Sequence, residues 1–175
     1  MDKRMQADWE VEIGGGAAVI DALWQGFVDL RQFPERIDEI AETVGFPALG
    51  RLLLTLNRAE SLIWTAKCDA WKLDSEAGLA CYVDMLPVDG LVFAAWQQAE
   101  SFCRQCVANL ANSAPDECHV ELIVRQAIAG QAEGFGITAY LTLADGAGDW
   151  AEAMDAFAGS IPVAVAPTNE GSKLQ

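Results

Sequence analysis

Apolar and polar residues alternate strictly in five stretches of the chain, and this spacing predicts β-strands. Successive side chains of a strand point to opposite faces, so an apolar residue at every second position indicates one buried face. The short N-terminal stretch is Trp9–Ile13, in which Glu10 and Glu12 separate the apolar residues. The four longer stretches are residues 62–73, 79–85, 120–125 and 135–143. We therefore expect one N-terminal strand and two later hairpins.

A second pattern, with apolar residues three or four positions apart, predicts helices. It occurs at residues 19–30, 34–44, 49–56, 91–110 and 150–157. Pro34 suits the first turn of its helix, and Gly45 suits the position after the last turn. In the first of these segments Gly26 weakens a helix by about 1 kcal/mol relative to Ala. A short strand over residues 26–31 is the alternative there.

The order of these elements predicts an α+β fold with a largely antiparallel sheet. Residues 62–110 and 119–158 each run strand, strand, helix. We expect two β-β-α units that share one sheet, with helices on its apolar face. An N-terminal strand and a helical segment precede these units. The N-terminal helices either cap one end of the sheet or cover its other face. Residues 1–161 are expected to form one domain, and residues 162–175, which lose all periodicity, a disordered tail.

The charge of the chain limits the kinds of partner that it can bind. Of its 175 residues 26 are acidic and 11 are basic, which gives a net charge of −15. The basic residues are scattered along the chain, so neither nucleic acid nor an anionic membrane is expected as a partner. Basic, neutral or cationic partners are favoured, and the simplest role of the acidity is solubility. The hydrophobic fraction of 52% excludes a disordered chain.

The sequence also favours a cytoplasmic location. No stretch approaches the ~18 consecutive apolar residues of a membrane helix. The first residues lack the apolar segment that defines a signal peptide. The five cysteines are an odd number, and reduced thiols in the cytoplasm are the simplest explanation.

The spacing Cys103-x-x-Cys106, followed by Cys118 and His119, raises the question of a metal or redox site. Neighbouring residues of a strand point to opposite faces, so Cys118 and His119 do not converge on one metal ion. Cys103 and Cys106 lie within the apolar stripe of a helix, not at the helix N-terminus where thiols are activated. Core packing is favoured over metal or redox chemistry, and we expect no metal, no cofactor and no catalytic residue.

The polar face of the predicted sheet is the surface best suited to binding. The strand periods place on it Thr65, Lys67, Asp69, Trp71, Tyr82, Asp84, Glu121, Ile123, Arg125, Thr138, Tyr140 and Thr142. Because Trp, Tyr and Arg are enriched at binding hot spots, we select as candidate binding residues Lys67, Asp69, Trp71, Tyr82, Asp84, Glu121, Arg125 and Tyr140. The ordinary alternatives are a solvated face with cross-strand ion pairs, or a face covered by the N-terminal helices.

Two functions from different classes fit this surface. The first is a non-catalytic interaction domain that binds a protein or peptide partner, or a second copy of the chain. The alternative is a small-molecule-binding domain or enzyme with a pocket between helices and sheet. Such a pocket would use the charged and aromatic residues of the mixed face, or Trp64, Trp96 and Phe102 on the apolar side. We favour the first, because no catalytic motif is evident.

The predicted order helix, strand, strand, helix, strand, strand, helix over residues 34–158 resembles that of the small acidic chaperones of bacterial type III secretion. The resemblance rests on element order, acidity and size. Those chaperones usually carry an additional strand.

Overall fold

Two long hairpins and two short N-terminal strands form one six-stranded sheet. The computed structural model describes residues 6–73, 78–110, 118–143 and 150–162. Its strands are β1 (Gln6–Glu12), β2 (Val19–Asp21), β3 (Ile63–Lys72), β4 (Leu79–Pro87), β5 (Cys118–Ala129) and β6 (Ala132–Leu143). Its helices are a 3-10 helix (Pro34–Glu39), α1 (Ala41–Gly45), α2 (Pro47–Leu56), α3 (Trp96–Leu110) and α4 (Trp150–Ser160). The predicted tail, apart from Pro162, lies outside the described residues.

The sheet is mostly antiparallel, with the strand order β1-β5-β6-β4-β3. The β3–β4, β4–β6 and β5–β6 pairs are antiparallel. β1 and β2 run parallel to β5 and pair with consecutive stretches of it. Between them the chain turns away from β5 through Gly14 and Gly16, both of which have the positive φ that favours glycine. The predicted mixed α+β fold with a largely antiparallel sheet is confirmed.

One face of the sheet packs against the helices and forms the main core. Val83, Ala139 and Leu122 are cross-strand neighbours on this face, and none of them is exposed to solvent. α2, α3 and α4 complete the cluster with Leu49, Leu52, Leu53, Leu56, Ala99, Cys103, Cys106, Leu110, Ala153, Met154 and Phe157. Burial of each large apolar side chain contributes about 1.5–3 kcal/mol.

The N-terminal helices add to this same face and do not cover the other one. Ile37 and Ile40 pack against the main core. The helix predicted over residues 34–44 is divided, because Ile40 has extended dihedral angles between the 3-10 helix and α1. The helix predicted over 91–110 begins at Trp96, because Phe93 is held in two backbone hydrogen bonds with Phe135 of β6.

The second face of the sheet is covered over part of its area by the coil that follows β2. This coil and the strands beneath it form a second apolar cluster, composed of Ile20, Ala22, Trp64, Leu86, Val92, Ala127 and Ala129. Phe27 from the coil packs edge-on against Trp64, with ring centroids 5.5 Å apart. The helix predicted over residues 19–30 was therefore wrong, and so was the alternative strand over 26–31. A β-carbon at Gly26 would lie 2.1 Å from the Trp24 ring, so glycine allows the chain to fold back here.

A β-bulge in β3 reverses the faces of its first residues. Thr65 pairs with Met85, but the next partners are Cys68 and Val83, so β3 has one extra residue. Directly paired residues share a face, which places Thr65 on the helix-covered side. There Asn57 donates to the Thr65 hydroxyl at 2.7 Å and accepts from its backbone amide at 3.1 Å. The prediction that Thr65 lies on the mixed face was wrong, because period-two alternation fails across a bulge.

Because of the bulge, Trp64 and Ala66 lie on the opposite face of the sheet from Cys68 and Ala70. Both belong to the second apolar cluster, whereas Cys68 and Ala70 pack against the main core. Strict alternation over residues 62–73 predicts all four on one side.

Arg31 fixes the end of the covering coil to the turn between α2 and β3. Its guanidinium donates to the backbone carbonyls of Arg58 at 2.8 Å, Ala59 at 3.1 Å, Ser61 at 3.1 Å and Ile63 at 3.3 Å. A planar guanidinium presents several donors in a fixed geometry, which a lysine ammonium does not reproduce.

We expect Arg31→Lys to lower the free energy of unfolding by about 1–3 kcal/mol, since several exposed and partly buried carbonyls lose a charged donor. Urea denaturation of the purified protein measures this. Arg36→Lys is the matched control, because the guanidinium of Arg36 is exposed and interacts with Glu39 and the Phe33 ring, both of which a lysine ammonium can also contact. Equal stability of the two variants would show that Arg31 does not hold the coil.

Candidate functional site

A row of acidic and aromatic side chains crosses the uncovered part of the second face. Asp69, Tyr82, Tyr140, Glu121 and Asp8 are successive pairing partners on β3, β4, β6, β5 and β1. We call these five residues the tyrosine row. Its two tyrosine rings are in contact, with centroids 5.8 Å apart and planes tilted by 48°.

Trp71 extends the aromatic surface along β3. Its ring centroid is 6.3 Å from that of Tyr82, and the residue is 41% exposed. Tyr82 and Tyr140 are half-buried, which leaves part of each ring in contact with solvent. Burial, followed by the charges of Asp84 and Asp69, raises the pKa of Tyr82 to about 12. The hydroxyl therefore stays protonated near neutral pH and can donate a hydrogen bond. We call the tyrosine row together with Trp71 the open face.

Asp84 occupies the next row of the sheet, nearer to the covered area. It is only 6% exposed, and the Thr138 hydroxyl donates to its carboxylate at 2.7 Å. Burial raises the pKa of the Asp84 carboxyl to about 6, although the Thr138 bond and the positive charges of Arg125 and Lys67 act in the opposite direction. Asp84 is thus a desolvated carboxyl between the open and covered parts of the face.

The two cations of this face are already engaged within the chain. The Lys67 ammonium lies 5.3 Å from the centroid of the Trp24 ring. Arg125 forms an ion pair with Glu12 at 3.0 Å, and its side chain is 11% exposed. Neither cation neutralises the tyrosine row. In the described part of the chain, no lysine or arginine forms an ion pair with the row's three carboxylates.

β1 adds further negative charge to the same side of the sheet. Asp8, Glu10 and Glu12 alternate along it and pair with Glu121, Ile123 and Arg125 of β5. The pKa of Glu10 is raised by desolvation and then by the nearby charges of Glu121 and Glu12. The alternation in β1 predicts a strand, but these acidic residues were not among the predicted binding residues, because the parallel pairing of β1 with β5 is a tertiary contact.

All eight predicted binding residues lie on the second face, in two groups. The open face contains Asp69, Trp71, Tyr82, Tyr140 and Glu121. The inner group consists of Lys67, Asp84 and Arg125, which are half-buried or buried. Register and burial therefore bring these side chains together, and their role in binding remains a prediction.

The thiols lie in the main core. Cys103, Cys106 and Cys118 are each at most 2% exposed, and burial raises the pKa of Cys106 and Cys118 to about 12. Such thiols stay protonated at neutral pH and are poor nucleophiles. His119 is exposed on β5, away from Cys118, which is buried. Within the described ranges, no three histidine, cysteine, aspartate or glutamate side chains are close enough to hold a metal ion.

The aromatic residues suggested for a pocket on the apolar side do not converge. Trp64 belongs to the second cluster and donates from its indole nitrogen to the Pro87 carbonyl at 3.1 Å. Trp96 and Phe102 lie against the main core on the helix-covered side.

Two grooves lie away from the tyrosine row. One of about 790 Å³ is formed by the 3-10 helix, α2 and α4, and it includes the exposed Arg51–Asp155 ion pair. Another of about 360 Å³ lies beside the covering coil and is lined by Leu23, Phe27, Trp64 and Leu91, among others.

The described helices are all too short or too polar to cross a membrane. The chain matches no family model, and comparisons with curated proteins and with solved structures give no match. The resemblance in element order to type III secretion chaperones therefore has no support from these comparisons.

We expect Asp84→Asn to make stability less dependent on pH. The folded chain retains the Asp84 proton up to about pH 6, whereas the unfolded chain releases it near its ordinary pKa of 3.8. In the wild type, the free energy of unfolding that depends on the protonated Asp84 carboxyl therefore falls as pH rises from about 4 to 6. The variant should be more stable at pH 8, by up to about 3 kcal/mol, and equal below pH 4.

Urea denaturation between pH 4 and pH 8 measures this difference. Asp69→Asn is the control, since Asp69 is an exposed aspartate of the same face, and its effect should be small throughout. A variant that is less stable than wild type at pH 8 would show that attraction to Lys67 and Arg125 outweighs the burial of the carboxylate.

Proposed function

We propose that this chain is a non-catalytic interaction domain that binds a protein or peptide partner through the open face. The observation that supports this proposal best is the contact of Trp71, Tyr82 and Tyr140 on a part of the sheet that the described residues leave uncovered. Aromatic residues of this kind contribute most to binding energy in protein interfaces.

The covered part of the same face gives the physical contrast. Where the strands present apolar residues such as Leu86 and Ala127, the coil after β2 covers them with Ala22 and Phe27. The open face keeps part of each large ring in contact with solvent, at positions flanked by carboxylates. Such a mixed surface is stable in water and can still lose apolar area to water-excluding contact with a partner.

A partner of different charge is favoured over a second copy of this chain. Pairing two open faces would bring the row's carboxylates, together with Glu10, close to the same groups of the other copy. Like charges placed opposite one another disfavour an interface by several kcal/mol. Self-association through this face is therefore the weaker form of the proposal.

A small-molecule site or enzyme remains the alternative, and the buried carboxyl of Asp84 is the observation that favours it. Carboxyl groups with raised pKa values are frequent in catalytic sites. Native mass spectrometry of gently purified protein separates the two functions. Extra mass that disappears on denaturation favours the alternative, whereas the bare mass of the chain favours the interaction domain.

The finer architecture belongs to the same proposal. We interpret residues 62–110 and 119–158 as two β-β-α units, each of which contributes one tyrosine of the row. We also propose a cytoplasmic location, which suits the five free thiols.

The test replaces Tyr82 and Tyr140 together by serine. We expect affinity for a partner co-purified from the producing cells to fall at least tenfold, because two aromatic contacts are lost. Titration calorimetry with the recovered partner measures this. The matched control is Phe33→Ser, an aromatic residue that is 38% exposed elsewhere on the surface.

Thermal unfolding of both variants completes the test. Because the two rings are half-buried and in contact, the open face predicts a moderate loss of about 1–3 kcal/mol, which is less than the ~3–5 kcal/mol that truncation of even one fully buried aromatic residue costs. A sharp loss of stability in the tyrosine variant alone would mean that the face is buried, and this contradicts the proposal. Equal partner binding by the two variants also contradicts it.

A further inference from the structure

We infer that the partner of the open face is an extended basic segment, in which two lysine or arginine side chains four residues apart meet Asp69 and Glu121 on either side of the two tyrosines. This inference rests on the proposed function and specifies the chemistry of the partner.

The spacing of the two carboxylates comes from the sheet itself. Asp69, Tyr82, Tyr140 and Glu121 occupy four adjacent strands at matched register positions. Adjacent strands are about 4.8 Å apart, so the backbones that carry Asp69 and Glu121 are separated by about 14 Å. An extended chain advances about 3.3 Å per residue, so residues four positions apart are about 13 Å apart and point to the same side. Such a segment, laid along the row, matches both carboxylates.

The charge of the row selects cations. Asp69, Glu121 and Asp8 have no lysine or arginine in ion-pair contact within the described part of the chain. The nearby cations Lys67 and Arg125 are held by Trp24 and Glu12. With a net charge of −15, the chain also attracts basic segments over distances up to about the Debye length, near 10 Å at 0.1 M salt.

The tyrosine rings strengthen the same preference. A cation over an exposed aromatic ring gains about 0.5–1 kcal/mol, and the methylene groups of lysine or arginine can cover the ring. The described part of the chain contains this contact three times in other places, one of which places the Arg36 guanidinium 6.0 Å from the Phe33 ring centroid. Lys67 lies over Trp24, and the Arg104 guanidinium lies 4.9 Å from the Trp9 ring centroid.

Acidic partners are excluded by the same charges. Phosphate groups of nucleic acid or lipid, and the open face of a second copy, would each meet the unneutralised carboxylates of the row.

The test uses synthetic twelve-residue peptides, blocked at both ends and composed of threonine and serine, with arginine at positions 4 and 8. Titration calorimetry against the full-length protein at 50 mM salt measures the affinity. We expect this peptide to bind at least tenfold more tightly than a peptide with glutamine at both positions. We expect it to bind severalfold more tightly than one with arginine at positions 4 and 7, where the side chains point to opposite sides.

Two double variants of the protein have the same net charge as each other, because each removes two carboxylates. Asp69→Asn with Glu121→Gln should weaken binding of the first peptide at least tenfold. Asp38→Asn with Glu133→Gln is the control, since both residues are exposed and lie outside the open face, and it should retain most of the affinity. Equal weakening by the two double variants would show only a general charge effect and would overturn the inference. So would equal binding of the arginine and glutamine peptides.

Failure of this inference can be distinguished from failure of the proposed function. A natural partner that requires Tyr82 and Tyr140, together with no preference for the arginine peptide, leaves the interaction domain standing and overturns the basic segment. If the Tyr82→Ser/Tyr140→Ser variant still binds both the partner and the arginine peptide, the proposed function and the inference of a basic segment are both overturned.

Discussion

The antiparallel pairing of β4 with β6 is the contact on which the rest of the structure depends. It joins the two hairpins into one sheet and sets which residues share a face. Val83 opposite Ala139 places one set of side chains under the helices, and Tyr82 opposite Tyr140 places the other set on the second face. A shift of register by one residue would exchange the two faces. The apolar cores on both sides hold the register, and the tyrosine contact is a consequence of it.

The coil after β2 covers only part of the second face, and the residues of the strands set its limit. The coil after β2 is held at one end by the pairing of β2 with β5 and at the other by the Arg31 guanidinium. Between these points it buries the apolar residues of the strands, and the bulge in β3 turns Trp64 toward it. Beyond Asp84 the strands carry carboxylates, which an apolar coil cannot cover without desolvating charge. The boundary between covered and open areas is therefore an electrostatic one.

The charges on this face are arranged unequally. Its cations, Lys67 and Arg125, lie near the covered area and act on Asp84, whereas no lysine or arginine of the described residues forms an ion pair with the carboxylates of the tyrosine row. The cations thus stabilise the inner part of the face and leave the outer part acidic. The proposed interaction with a basic segment rests on this separation together with the partly exposed rings. The buried thiols of Cys81, Cys103, Cys106 and Cys118 are part of the main core.

The sequence by itself determined the strands of both hairpins, the helices α2, α3 and α4, and the sides on which Tyr82, Tyr140, Glu121 and Asp69 lie. Each of these follows from local periodicity, because a regular strand or helix imposes its own repeat on the side chains. Only the tertiary structure decided the conformation of residues 19–30, the side of Thr65 and the joining of β1 to β5. Val19 and Ile20 have helical spacing to later apolar residues, but pairing with β5 and burial against Trp64 outweigh a weak helical propensity. Similarly, an extra residue in β3 cannot be recognised before its partner strand is known, because a bulge is defined by the mismatch between two strands.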